Sequence, residues 1–235
     1  MNQAARSIAI LGSTGSIGRS TLDVVAASKG RLQVAGLTAN SRLDGLCQQA
    51  QHFQPPWIVA TDAERAREFD WSARPDGTEL LVGQRGLETL VSQPTVDIVV
   101  AAIVGSAGLT GTWAALQAGK TVALANKETL VMAGPLVMRL AKSRNAKILP
   151  VDSEHCAVFQ ALEAGRRRDV KRVILTASGG PFRKHTTEQL AQVTVDEALA
   201  HPTWNMGPKI TVDSATMMNK ALEIVEARWL FDLSP

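Results

Sequence analysis

Cysteine and aromatic residues are scarce in this sequence, and no run of apolar residues is long. The two cysteines, Cys47 and Cys156, stand in unrelated contexts. That excludes a disulfide-stapled secreted fold and a zinc site built on thiolates, and it points to a reducing, cytoplasmic setting. Aromatic side chains make up 4% of the chain, and no basic stripe is interleaved with them. With a net charge of only +3, nothing argues for a nucleic-acid partner. No apolar run reaches the roughly twenty residues that cross a bilayer, so no membrane partner is expected. The N-terminus enters a strand pattern at once and has no apolar stretch followed by a cleavage site. Tyrosine is absent, which by itself excludes nothing.

What is present is an ordinary globular mix, 45% apolar and 20% charged over 235 residues. That is room for one large domain or two modest ones. Short apolar runs alternate with amphipathic stretches: strands at Ser7–Leu11, Leu32–Thr38, Trp57–Ala60, Glu79–Val82, Asp97–Val104, Thr121–Ala125 and Lys147–Val151. Helices fall between them, including Ser20–Ser28, Leu43–His52, Leu109–Gly119 and a Gly134-Pro135-interrupted Leu130–Ser143. This alternation predicts a doubly wound parallel α/β sheet. Asp97–Val104 is the most apolar run and is expected inside the sheet.

Directly after the first strand comes Gly12-Ser13-Thr14-Gly15-Ser16-Ile17-Gly18, and then a helix. Glycines there let the backbone approach a pyrophosphate, and the helix N-terminus supplies N–H donors. The spacing is GxxGxxG rather than the usual GxGxxG, and a plain turn is the alternative. After the second strand, where NAD enzymes place an acid for the ribose, the chain reads Asn40-Ser41-Arg42. Hydroxyl, amide and guanidinium groups suit a 2′-phosphate, which favours NADP. Asn126-Lys127-Glu128 ends another strand, at the edge where open sheets bind ligands.

Polar loops dominate after about residue 143. Asp152-Ser153-Glu154 pairs two carboxylates with a hydroxyl at a strand end, which suits Mg²⁺ or Mn²⁺. On those residues alone, a helix cap through Glu154–Ala164 is the plainer reading. Strands are expected at Arg172–Thr176 and Lys209–Val212. Ser178-Gly179-Gly180-Pro181-Phe182-Arg183 is a tight donor-rich loop, either an anion cradle or a turn. His201 to Pro208, with Trp204 and Met206 bracketed by Pro and Gly, reads as a mobile loop over a site. If the stretch from Asp213 is helical, Asn219 and Glu223 are i, i+4 neighbours with Lys220 beside them. Arg166-Arg167-Arg168 reads as a solvated helix exit.

Six of these stretches, in order, resemble the 1-deoxy-D-xylulose 5-phosphate reductoisomerase family: residues 10–18, 123–128, 151–155, 178–183, 201–207 and 212–223. The resemblance implies a Rossmann-like NADPH-binding domain at 1–147 and an α/β catalytic domain at 148–235. The family chain is longer, so it also implies that this chain is a fragment, truncated in its catalytic domain and lacking the family's C-terminal helical domain. Metal ligands would be Asp152, Glu154 and Glu223. Lys127, Ser153 and Asn219 would surround the substrate's oxygens, and Ser178, His201, Ser214, Asn219 and Lys220 would line the phosphate and substrate pocket. Lys127, Glu154 and His201 are the catalytic candidates, and Trp204 and Met206 the lid. Thr14, Gly15, Ser16, Ile17, Asn126, Glu128 and Gly207 would contact NADPH, and Asn40, Ser41 and Arg42 its 2′-phosphate. The implied reaction is metal-dependent isomerisation of the phosphosugar and its NADPH-dependent reduction to 2-C-methyl-D-erythritol 4-phosphate, in a full-length homodimer. Two alternatives stay open: an NADP-binding module, and a semialdehyde dehydrogenase with Cys156 as nucleophile.

Overall fold

The computed structural model describes residues 4–204 and 206–234, in two compact units, Met1–Asp152 and Ser153–Pro235. In the first, strands and helices alternate: β1 (Arg6–Leu11), α1 (Ser16–Ala27), β2 (Leu32–Ala39), α2 (Leu43–Phe53), β3 (Trp57–Ala60), α3 (Ala63–Glu68) and β4 (Glu79–Val82). They continue with α4 (Gly83–Ser92), β5 (Ile98–Ala101), α5 (Gly108–Gln117), β6 (Thr121–Leu124), α6 (Glu128–Ser143) and β7 (Lys147–Pro150). The seven strands form one sheet in the order β4-β3-β2-β1-β5-β6-β7, and every pairing is parallel. Such strands carry helices on both faces, which is why they read as unbroken apolar runs. Ile8, Ala9, Ile10 and Leu11 are all buried along β1.

The helices meet this sheet through one face each. Leu22 and Val25 of α1, and Leu43, Leu46 and Ala50 of α2, join Ile10, Leu37 and Ile58 in the core. Fully burying a Leu or Ile side chain stabilises by roughly 1.5–3 kcal/mol. Cys47 is buried in this helix face, and burial, followed by the nearby Asp44, pushes its thiol up. At α6 the expected interruption is a kink at Ala133, where Pro135 cannot donate to the helix. The run Asp97–Val104 pairs as a strand only over Ile98–Ala101, and it lies inside the sheet as expected.

Lys120 precedes β6 and donates to the carbonyls of Gln93 (2.6 Å) and Val96 (2.7 Å) after α4. Burial pulls its ammonium down from the usual value, partly offset by Asp97. Lys120→Met keeps the stem and deletes both charged hydrogen bonds, so about 2 kcal/mol of stability should be lost. A denaturant midpoint equal to wild type would refute that role.

The second unit is helical among its described residues: α7 (Ser153–Glu163), α8 (Thr187–Leu190), α9 (Val195–Leu199), α10 (Pro208–Ala215) and α11 (Met218–Phe231). Two expected strands are corrected here. Arg172–Thr176 is irregular, with Ile174 68% exposed. No neighbouring strand is described in this unit, and an unpaired strand has no ladder to satisfy its backbone. Lys209–Val212 is the first half of α10. Its β-branched residues favour a strand, but Pro208 starts a helix without losing a hydrogen bond, and Lys209 pairs with Asp213 one turn on at 2.7 Å. The stretch Asp213–Glu223 is not one helix: Met217, at φ 60°, separates α10 from α11. No helix among the described residues is long and apolar enough to cross a membrane.

Candidate functional site

The glycine loop lies where the strand order reverses, between β1 and β5. That is the crevice where α/β sheets bind ligands. Gly12 takes φ +81°, and a Cβ there would lie 3.0 Å from the Ala102 carbonyl oxygen. A Cβ on Gly18 would lie 2.4 Å from the Ser13 oxygen, so α1 starts against the loop's own backbone. Thr38 Oγ1 accepts from the Gly12 N–H at 2.8 Å. Gln49 of α2 clamps Ser13 twice, accepting from its hydroxyl at 2.7 Å and donating to its carbonyl at 3.0 Å. The N-cap of α1 is Gly15, which has no side chain to cap the helix's first-turn N–H groups. Ser16 and Ile17 are exposed there, and Thr14 is buried at 8%.

The other residues expected at the cofactor in this unit share that edge. Asn40 directly follows β2 and donates to Thr61 Oγ1 at 3.1 Å, and Ser41 and Arg42 come next, exposed. Asn126 is buried at 3%: it donates to the Gly105 carbonyl (3.0 Å) and to Glu128 (2.8 Å), and accepts from Thr129. This buried amide fixes the turn that presents Lys127. Lys127 pairs with Asp152, both largely buried. Gly207 belongs to the second unit, where it caps α10.

In the second unit, Glu154 opens α7, and Asn219, Lys220 and Glu223 stand on the first two turns of α11. The Lys220 ammonium lies between the two acids, 3.0 Å from Glu154 Oε1 and in contact with Glu223. Asn219 donates to Glu223 across the expected i, i+4 step, and Ser153 donates to Glu154. Burial would lower the Lys220 pKa, but the hydrogen bonds and charges of Glu223 and Glu154 outweigh it and raise it above 10.5. Two carboxylates thus already converge on one cation. Oxygen donors set this way fit a divalent ion of the Mg²⁺ or Mn²⁺ kind.

Behind this pair lies a fully buried support. His155 Nε2 donates to the Glu223 carbonyl at 2.9 Å, its Nδ1 faces Glu226 Oε2 at 3.5 Å, and its ring stacks on Phe231. Sequence reasoning gave Glu226 and Gln49 no role. A glutamate three residues beyond another on a helix, or one glutamine in an amphipathic helix, carries no signal of what it will touch.

A second cluster joins two loops to α10. Ser178 lies 3.2 Å from His201 Nε2 and accepts from the Gly180 N–H at 3.2 Å. Gly180 packs so closely on Ser214 that a Cβ would lie 2.6 Å from the Ser214 carbonyl oxygen. Ser178, His201 and Ser214 are therefore gathered in one cluster. Trp204 is 62% exposed, and its backbone N–H donates to His201. Met206 is half-buried, and Asn205, inside the expected lid, lies outside the described residues. Cys156 accepts from Gln160, one turn along its own helix.

A family model described as 1-deoxy-D-xylulose 5-phosphate reductoisomerase matches residues 8–134, and one described as that family's C-terminal domain matches residues 148–231. The reductoisomerase of Geotalea uraniireducens is 54% identical over 97% of this chain, and that of Heliobacterium modesticaldum is 54% identical over 96%. A crystal structure of a DOX-P reductoisomerase with NADPH, fosmidomycin and magnesium superposes at TM-score 0.88, with 45% identity over 97% of this chain and 59% of its own. The Zymomonas mobilis enzyme in complex with NADPH superposes at 0.87, with 42% identity over 98% of this chain and 59% of its own. The chain spans 59% of the length of the Geotalea relative. By these matches, which run through both units, the chain belongs to the 1-deoxy-D-xylulose 5-phosphate reductoisomerase family.

Proposed function

We propose that these residues are the NADPH-, metal- and substrate-binding part of an enzyme that isomerises 1-deoxy-D-xylulose 5-phosphate and reduces the product to 2-C-methyl-D-erythritol 4-phosphate. The observation that carries this reading is the convergence of Glu154 and Glu223 on one cation, on the acidic positions of the family motif. Asp152 joins them as third ligand by chain connectivity, two residues before Glu154. A divalent cation held there would supply Lewis acidity toward the sugar's carbonyl and hydroxyl oxygens, and NADPH would supply the hydride.

The chain's own groups have separate tasks. Lys127 places a cation where oxyanion charge develops. Ser153 and Asn219 orient the acids and the substrate's oxygens, and Glu154 is the candidate for moving protons. Ser178, Ser214, Asn219 and Lys220 grip the remote phosphate, with His201 beside Ser178 in the same pocket, and its binding energy drives closure of the loop carrying Trp204 and Met206. The glycine loop, with Thr14, Gly15, Ser16 and Ile17, takes the pyrophosphate. Asn126, Glu128 and Gly207 contact the cofactor, and Asn40, Ser41 and Arg42 its 2′-phosphate. The setting is cytoplasmic, consistent with two free thiols, and the full-length enzyme is a homodimer.

NADPH oxidation with deoxyxylulose phosphate, measured in a full-length enzyme with and without chelator, tests this reading. Turnover should stop on chelation and return with Mg²⁺ or Mn²⁺. Residues 1–235 alone should bind NADPH weakly and turn over little. Turnover that survives chelation would remove the metal role of Asp152, Glu154 and Glu223. Cys156→Ser should leave activity intact, and its loss would favour the dehydrogenase.

A further inference from the structure

We infer that His201 is a positioning residue: the loop that follows it locks one neutral tautomer, and that tautomer turns the Ser178 hydroxyl outward as a donor for an anionic oxygen. This rests on reading the two loops as the phosphate pocket. His201 Nδ1 accepts from the backbone N–H groups of Thr203 (3.2 Å) and Trp204 (3.0 Å). A ring nitrogen that accepts carries no proton, so in the neutral imidazole the proton is on Nε2. Nε2 lies 3.2 Å from Ser178 Oγ and is therefore the donor of that pair.

The Gly180 N–H donates to the same oxygen, also at 3.2 Å. A hydroxyl has two lone pairs and one hydrogen. Both lone pairs are engaged, so the hydrogen points away from the ring and the Gly180 amide, and Ser178 is an exposed residue. Such a hydroxyl selects a ligand atom that only accepts, as phosphate oxygens do, and offers nothing to a cation or an amide donor. If residues 203–204 leave, Nδ1 loses both donors and the proton can move to it. Nε2 then accepts from Ser178, which turns the hydroxyl hydrogen inward. Loop position and anion capture are coupled through one ring.

Nitrogen-15 NMR of the histidine-labelled chain, at alkaline pH where an ordinary imidazole is neutral, reads the tautomer directly. His201→Asn identifies the signal among the four histidines. Nδ1 should appear unprotonated and Nε2 protonated, and the reverse assignment overturns the inference. Asn places an oxygen near Nδ1 and Gln places an amide near Nε2. His201→Asn should therefore keep the hydrogen-exchange protection of the Thr203 and Trp204 amides, and His201→Gln should lose it. Equal protection in both variants counts against the lock. With inorganic phosphate as probe, His201→Ala and Ser178→Ala should each weaken binding about tenfold, and the double variant should be no weaker than Ser178→Ala. Additive losses overturn the coupling. Absence of phosphate binding in every chain, with the Nε2–H tautomer intact, refutes the phosphate-pocket reading and leaves the lock standing.

Discussion

Glu223→Gln should weaken Mg²⁺ or Mn²⁺ binding by more than the roughly 10–100-fold that loss of an outer-shell partner costs. It should abolish metal-dependent turnover in a full-length enzyme. The substitution preserves shape: Glu223 is 1% exposed, accepts from Asn219 and is anchored at its carbonyl by His155. An amide oxygen can keep the Asn219 bond, but it carries no charge to attract a dication or the Lys220 ammonium. The helical content of the chain should therefore be unchanged. Isothermal titration with MnCl₂, beside far-ultraviolet circular dichroism, checks both halves. Wild-type metal affinity in a folded Glu223→Gln chain would remove Glu223 from the ligand set. NADPH titration serves as the control, because Glu223 lies in the other unit from the glycine loop.

Gly18→Ala should lower stability by about 3 kcal/mol, the upper end for forcing atoms into a packed site. NADPH affinity should fall by roughly a hundredfold or more as the loop is displaced. The added Cβ would meet two backbone carbonyl oxygens, those of Ser13 at 2.4 Å and Gly12 at 2.5 Å. Neither can rotate aside as a side chain would, so α1 must move off the loop and take its uncapped N–H groups with it. Gly77→Ala is the matched control, since nothing lies within 4 Å of its added Cβ. It should stay within about 0.5 kcal/mol of wild type. Urea unfolding and NADPH fluorescence titration measure the two effects. Unchanged NADPH affinity in a folded Gly18→Ala chain would show that the close approach has nothing to do with the cofactor.

The parallel sheet was legible because its information is local. Val99, Val100 and Ala101 are apolar on both faces, and each strand is punctuated by polar or glycine residues. The right-handed crossover of strand–helix–strand units narrows the topologies, but the order β4-β3-β2-β1-β5-β6-β7 is a finding of the structure. The second unit was less legible for a physical reason. Ile210-Thr211-Val212 has strand propensity, but propensity becomes a strand only beside another strand, and Pro208 with the Lys209–Asp213 pair tips the same residues into a helix. At the site, the motif residues were readable because their chemistry is unusual for their setting. Their supports were not. Nothing in the sequence tells that His155 reaches the Glu223 carbonyl, or that Gln49 grips Ser13, because those contacts exist only once distant helices pack. The identity of the substrate was carried by family resemblance, since two acids and an ammonium alone would suit many anionic ligands.

The strand order has a consequence for the time at which the cofactor crevice exists. β1 pairs with β2 close by in the chain, but it also pairs with β5, where Ile8 stands opposite Ile98. Such long-range parallel contacts close large loops, and chains that depend on them fold in milliseconds to seconds rather than microseconds. Gly12 rests on Ala102, just beyond β5, so the glycine loop has no floor until that far pairing is made. During synthesis the ribosome releases the loop early and its floor late. Through that interval the β1 edge stays unpaired, an exposed apolar template for other chains. NADPH added during refolding should therefore act on the final stage of sheet closure and leave the early collapse unaltered.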